Sequence, residues 1–238
     1  MTKNLLLISG SKTHGTGYLD HCENEIKETL EGRTKVLFIP YARPGGISYD
    51  EYTAIARKKF EQMGKSLKGI HEYNNHKDAL ADTVAIFIGG GNTFVLLTNL
   101  KRQETLIPDI YKAVHSGTPY IGASAGSNVA GKTIKTTNDM PIVHPPNLNA
   151  LNLIPYNINP HYMDHDPNSK HQGESRDTRI KEFHAFNDTP VIALREGAML
   201  RVTDDRIYLT GNTGAKIFKP NQEPKECNPK TYIDSLLR

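Results

Sequence analysis

The stretch YIGASAGSNVAGKT, residues 120–133, carries two overlapping motifs that cannot both be the working part of one short loop. Gly122-Ala123-Ser124-Ala125-Gly126 is a G-x-S-x-G, which holds a serine on a sharp strand-to-helix turn. Gly126-Ser127-Asn128-Val129-Ala130-Gly131-Lys132-Thr133 is a G-x-x-x-x-G-K-T, which wraps phosphates and opens a helix at its Lys-Thr pair. After Thr133 comes Ile134-Lys135-Thr136-Thr137-Asn138-Asp139-Met140-Pro141, whose β-branched residues, Asn-Asp pair and proline make a poor helix. Val129 is stiff where a phosphate cradle needs free backbone. Tyr120-Ile121-Gly122-Ala123, by contrast, reads as a strand running straight into Ser124, and small residues flank the serine on both sides. The elbow is the better reading, and it predicts an α/β chain with Ser124 exposed at the carboxyl end of a sheet.

Outward from this turn the pattern agrees. Residues 5–8, 36–39, 85–88, 120–123 and 191–194 are unbroken apolar runs, as expected of strands covered on both faces. Between them, 18–30, 49–63, 78–81 and 107–115 have helical spacing, with Ile26/Leu30 and Ile55/Phe60/Met63 placed on the inner faces. Alternating strands and helices predict a mostly parallel sheet with helices on both sides. Segment 138–173 is rich in Asn, Pro and His without a sustained period, and an irregular stretch of that length in a compact domain tends to be functional. A helix is expected over 177–186 and short strands over 198–218, joined by turns at 203–205 and 211–212. No repeat or linker divides the chain. One domain over 1–238 is expected, with 219–238 as a peripheral tail.

Composition narrows the classes. The 238 residues carry a net charge of only +3, with basic and acidic residues interleaved, so a nucleic-acid stripe is not expected. No run approaches the roughly 20 apolar residues of a membrane helix, and the apolar segment 5–8 is too short for a signal peptide. Cys22 and Cys227, the two cysteines, have neither metal-type nor C-x-x-C spacing. A reduced, cytoplasmic protein is the expectation.

A serine nucleophile needs a histidine oriented by a carboxylate. Of the ten histidines, His14, His21, His71, His76 and His115 lie in polar settings and read as solvated. His161 differs: it follows an apolar stretch, and Pro160 stiffens its approach. His161 and His165 also form H-x-x-x-H near His171, Asp164 and Asp166. The glutamate of a zinc peptidase is absent, because Tyr162 occupies that place, and Pro160 and Pro167 bracket the segment, so no metal is expected. The carboxylate is open between Glu196, at the end of the 191–194 run, and Asp139, in the irregular segment; each also reads as a turn-capping acid. Gly89-Gly90-Gly91, after the 85–88 strand, can bring a backbone N–H close to a ligand and serve with Ala125 as an oxyanion donor.

Ile88-Gly89-Gly90-Gly91-Asn92-Thr93-Phe94, the 122–126 elbow, Thr136-Thr137-Asn138-Asp139-Met140-Pro141-Ile142-Val143 and Ile158-Asn159-Pro160-His161 together resemble the peptidase E family of α-aspartyl dipeptidases. Phe38-Ile39-Pro40-Tyr41-Ala42, Gly173-Glu174-Ser175-Arg176 and Glu196-Gly197 extend the resemblance over most of the chain. The polar segment after His161 and the tail depart from it. The resemblance implies a three-layer αβα sandwich around a mostly parallel sheet, like the flavodoxin-like scaffold of class I glutamine amidotransferases, with serine where those enzymes place cysteine. It implies hydrolysis of dipeptides with an N-terminal aspartate, without metal or cofactor. By match, Ser124 is the nucleophile and His161 the base. Glu196 is favoured as the orienting acid for its strand-end position, and Asp139 is kept as a catalytic candidate. Gly90, Gly91 and Ala125 form the oxyanion hole, Arg176 reads the substrate's β-carboxylate, and Asn92 joins it in substrate binding. The oligomeric state stays open, a homodimer included. Rival readings are a hydrolase of other aspartyl bonds, as in β-linked aspartyl-arginine polymers, and a non-catalytic amidotransferase-like ligand-binding module.

Overall fold

The computed structural model describes residues 3–166, 168 and 173–237. Its elements are β1 (Asn4–Ile8), α1 (Glu23–Thr29), β2 (Lys35–Ile39), α2 (Tyr49–Gln62), β3 (Ser66–Gly69), α3 (His76–Asp82), β4 (Ala85–Ile88), α4 (Thr93–Arg102), α5 (Leu106–His115), β5 (Tyr120–Ala123), α6 (Ala125–Ala130), β6 (Asn157–Tyr162), α7 (Arg176–His184), β7 (Val191–Arg195), β8 (Ala198–Thr203), β9 (Arg206–Gly211), β10 (Ala215–Phe218), β11 (Lys225–Cys227) and β12 (Thr231–Tyr232). The fold is mixed α/β.

The central sheet has eight strands in the order β12-β9-β8-β1-β5-β4-β2-β3. From β1 to β3 all neighbours are parallel, whereas β8, β9 and β12 add an antiparallel wing. Successive side chains of each inner strand point to opposite faces. Leu5, Leu7, Leu37, Ile39, Ile86 and Ile88 therefore pack against α3–α6. On the other face, Leu6, Ile8, Val36, Phe38 and Phe87 pack against α1 and α2. Covering both faces is what makes these strands unbroken apolar runs.

Four local expectations are corrected. The 18–30 helix is split into a 3-10 turn (Asp20–Cys22) and α1, after Leu19 adopts a left-handed φ of 58°. Ile55 is 45% exposed; Tyr52, Ala56 and Phe60 form the buried stripe of α2 instead. The strand at 191–195 does not belong to the central sheet. It lies in a second, four-stranded sheet, β11-β10-β7-β6, whose strand β6 runs through the middle of the segment read as irregular. The tail is also more than a surface wrap, since β11 extends the second sheet and β12 edges the central one. In keeping with the rejected phosphate-loop reading, its Gly-Lys-Thr opens no helix: Gly126 lies inside α6, which ends at Ala130.

Candidate active site

Ser124 sits between β5 and α6 with φ 54° and ψ −111°, a left-handed backbone that a residue with a Cβ adopts only where its surroundings enforce it. Three contacts enforce it. The Ser124 N–H donates to the Ile8 carbonyl at 3.0 Å. The Ser127 hydroxyl, one turn on, reaches both Ile8 and Gly122 carbonyls, at 2.7 and 2.8 Å. Tyr120 donates its hydroxyl to the Gly126 carbonyl at 2.6 Å. Together they bend the chain at the carboxyl end of β5 and push the Ser124 hydroxyl outward.

That hydroxyl meets His161, whose Nε2 lies 2.7 Å from Ser124 Oγ. On its other side, His161 Nδ1 contacts Glu196 Oε1. His161 follows Pro160 in β6 at a break in the β6–β7 register, and its φ is also 54°. The break rotates the imidazole out of the strand and toward the elbow. Glu196 occupies the two-residue link between β7 of the second sheet and β8 of the central one, held by the Thr213 hydroxyl on the Glu196 carbonyl at 2.5 Å. The three residues thus come from both sheets and the crossing between them, with Glu196 emerging from a different sheet than the sequence suggested.

Asp139, the other carboxylate candidate, does not meet the imidazole. It accepts from the Thr93 N–H at 2.7 Å and the Thr93 hydroxyl at 2.6 Å, with Thr137 also in reach at 3.2 Å. A carboxylate is stabilised at that place, the N-terminus of α4. Asn92, expected at the substrate, spends both ends of its amide on the protein: Oδ1 caps α4 through the Val95 N–H at 3.1 Å, and Nδ2 donates to the Met140 carbonyl at 2.9 Å. Arg176 opens α7 and donates to Asn138 Oδ1 at 2.5 Å. Asn138 in turn donates to the Pro160 carbonyl at 2.7 Å, which ties Arg176 to the strand bearing His161. Burial pulls the Arg176 pKa below its ordinary value. No carboxylate among the described residues pairs with it.

Gly90 lies against the serine: a Cβ there would sit 3.0 Å from Ser124 Cβ. The Gly90 carbonyl accepts from the Tyr52 hydroxyl at 3.3 Å, which turns the Gly91 N–H to the opposite side of that trans peptide. The Ala125 N–H is one of the amides at the start of α6 that have no intrahelical acceptor.

Sequence reasoning missed Ser9 and Gly10. Ser9 is fully buried; its hydroxyl accepts the His161 N–H and donates to the Leu194 carbonyl, both at 2.9 Å. Gly10 makes room for the pair beside it, because a Cβ there would lie 2.5 Å from Glu196 Oε2 and 3.0 Å from His161 Cε1. A lone Ser-Gly after a strand gives no signal of either task. Three histidines read as solvated are not. His71 meets Asp50 at 3.0 Å, and His76 bridges Thr105 and Asp109 at 2.9 and 3.0 Å. His21 has both ring nitrogens buried without a partner among the described residues. Within the H-x-x-x-H reading, His171 and Pro167 lie outside the described residues, and Asp164 is held by Arg195 and Lys216.

Comparison with known proteins gives the family of the chain. A family model described as "Peptidase family S51" matches residues 5–210. The chain is 42% identical over 238 residues to a Drosophila melanogaster protein named "Probable alpha-aspartyl dipeptidase", covering 99% of this chain and 98% of that one. It is 44% identical over 237 residues to Peptidase E of Streptomyces coelicolor, covering 98% and 95% respectively. The fold is similar to the crystal structure of a peptidase from an acI-B1 Actinobacterium, with a TM-score of 0.74 at 18% identity, covering 98% of this chain and 97% of that one. Among the described residues, no helix is long and apolar enough to cross a membrane.

Proposed function

Because the chain belongs to peptidase family S51, we propose that it is a serine-type α-aspartyl dipeptidase, hydrolysing Asp-Xaa dipeptides through an acyl-enzyme on Ser124. The observation that carries this reading is the Ser124–His161–Glu196 contact chain, in which Nε2 lies 2.7 Å from Oγ and the carboxylate engages the other ring nitrogen. His161 takes the Ser124 proton as Oγ bonds to the peptide carbonyl carbon, and Glu196 holds the ring and stabilises the imidazolium. The N–H groups of Ala125 and of the Gly90-Gly91 turn hold the oxyanion. As the C–N bond breaks, His161 gives its proton to the departing amine. A water then adds to the ester with His161 again as base, releasing aspartate and restoring the serine.

Arg176 reads the aspartyl β-carboxylate: it is half-buried, its donors fork in a plane, and among the described residues no protein carboxylate forms an ion pair with it, Asp139 acting on it only at longer range. Asp139 and Asn92 act one step back, shaping the start of α4 and the loop that carries Asn138. The same reading takes the chain as one domain with a three-layer αβα scaffold of the class I glutamine amidotransferase-like kind, supported by helices on both sheet faces and the elbow after β5. Two buried, free thiols suit a reduced cytoplasm.

The test compares Asp-Ala with Glu-Ala, N-acetyl-Asp-Ala and β-aspartyl-alanine as substrates, for the protein and for Ser124→Ala. Cleavage of Asp-Ala alone, lost by at least about 10³-fold in the variant, is expected. Undiminished turnover in Ser124→Ala ends the proposal, and preferential cleavage of β-linked aspartyl substrates moves it to the rival hydrolase.

A further inference from the structure

A second cavity, of about 350 Å³, shares no lining residue with the Arg176 cavity, and Ser11, Lys12, Tyr18, Arg43, Tyr52 and His161 all line it. Apart from His161 of β6, these residues come from the loops after β1 and β2 and from α2, at the carboxyl edge of the central sheet. Two cations face this space, and no carboxylate lines it. Among the described residues, neither Lys12 nor Arg43 forms an ion pair. Arg43 is nonetheless placed: its guanidinium lies 4.8 Å over the Tyr52 ring, and the Tyr52 hydroxyl is anchored on the Gly90 carbonyl. Behind them the Tyr18 ring meets the Tyr52 ring edge-on at 6.4 Å, and its buried hydroxyl lies against Tyr52. The cavity therefore presents fixed positive charge, and it touches the oxyanion turn through Tyr52.

Which half of a substrate it serves follows from the proton path. The imidazolium must hand its proton to the leaving nitrogen, so the leaving group lies on the histidine side of the serine. His161 lines this cavity, whereas the cavity of about 290 Å³ that contains Arg176 does not include it. In a dipeptide the departing residue carries a free α-carboxylate two bonds from the scissile nitrogen. In a longer peptide an uncharged amide stands at that position.

We infer that the Lys12–Arg43 cavity is the leaving-residue subsite, and that these two cations bind the substrate's C-terminal carboxylate and so restrict the enzyme to dipeptides. The inference rests on the dipeptidase reading and adds to it a length-reading device separate from Arg176. Three substrates test it: Asp-Ala, Asp-Ala amide and aspartyl p-nitroanilide, the last two lacking the terminal carboxylate. For the unaltered protein, kcat/KM on Asp-Ala is expected to exceed that on the amide by about tenfold or more, the effect of losing a charge-assisted hydrogen bond. Arg43→Ala should lower kcat/KM on Asp-Ala about tenfold through KM, and shift the amide and the anilide much less, so that the preference collapses. Arg43→Lys, which keeps the charge, should restore part of it, and Lys12→Ala should weaken it further. A preference that survives the double variant Lys12→Ala/Arg43→Ala overturns the inference, as does equal cleavage of acid and amide by the unaltered protein. In both cases continued hydrolysis of aspartyl p-nitroanilide leaves the dipeptidase reading standing. Hydrolysis of none of the three overturns both.

Discussion

Glu196 and Asp139 show how little a residue's type says about its task. Both are acids the sequence offers as partners for the serine's histidine, yet one touches the imidazole while the other accepts from Thr93 and Thr137 through Oδ2. Glu196→Gln removes the charge that supports the imidazolium, and kcat is expected to fall by about 10²–10⁴ with KM little changed. Asp139→Asn leaves one acceptor for Thr93 but removes the negative charge at the N-terminus of α4; its main cost should be stability, about 1–3 kcal/mol by urea unfolding. The reverse pattern, chemistry lost in Asp139→Asn and kept in Glu196→Gln, would exchange their roles. Ser9 is a positioning residue of the same scale. Its hydroxyl is the acceptor that holds the His161 N–H at a left-handed φ, so Ser9→Ala should cost about 1–3 kcal/mol and also lower kcat. If kcat and the urea midpoint both stay put, the hydroxyl is idle.

At the scale of elements, α6 spans Ala125–Ala130, too short to persist on its own. It forms because its backbone fits against the sheet. Tyr120 holds the Gly126 carbonyl, and Gly126 itself presses on the Ile88 carbonyl of β4, where a Cβ would overlap the oxygen. Gly126→Ala should therefore destabilise the protein by at least about 1–3 kcal/mol and displace the elbow, seen as lower Tm together with lost activity. A variant with unchanged Tm would show that α6 can shift freely. Strand β6 is held in another way. Asn157 pairs with Thr133, Asn159 donates to the Thr136 carbonyl at 2.7 Å, and Asn128 of α6 donates to the Ile158 carbonyl at 2.8 Å. Buried amides, not β-branched side chains, tie this strand to its surroundings.

Across the whole molecule, the two sheets meet at the site, and charge braces the junction. Arg195, next to Glu196, donates to Asp164 after β6 and to Glu226 of β11, through Nε to Asp164 Oδ2 at 2.7 Å and Nη1 to Glu226 Oε1 at 2.5 Å. These bonds hold the Asp164 carboxyl well below the ordinary carboxylate range. The β7–β8 link is thereby tied to β6 and to the tail. His21, which feels the charge of Glu196 in that link, adds a pH dependence. Burial lowers its pKa, against the pull of Glu196. The unfolded chain therefore takes up the proton first as pH falls below about 6.5, the ordinary imidazole value, and stability drains from that pH downward through the lowered folded value. Denaturant unfolding between pH 7.5 and 5 should show this slope, and His21→Leu should flatten it. An equal slope in both proteins would place the proton uptake elsewhere.

The parallel half of the central sheet, the elbow at Ser124 and the importance of His161 were legible in the chain itself, because each is written locally. An apolar run covered on two faces, a serine set among small residues and a rigid Pro-His pair all lie within a few neighbouring positions. Glu196 was already favoured over Asp139 for its place at a strand end, but its contact with the ring, the work of Ser9 and Gly10, and the cations beside His161 belong to the tertiary structure alone. They depend on contacts between segments as distant as Ser9, His161 and Leu194, and no local pattern records which loop will face which. The second sheet was hidden for a related reason: its strand β6 draws stability from side-chain amides across the fold, so its composition looks like that of a loop.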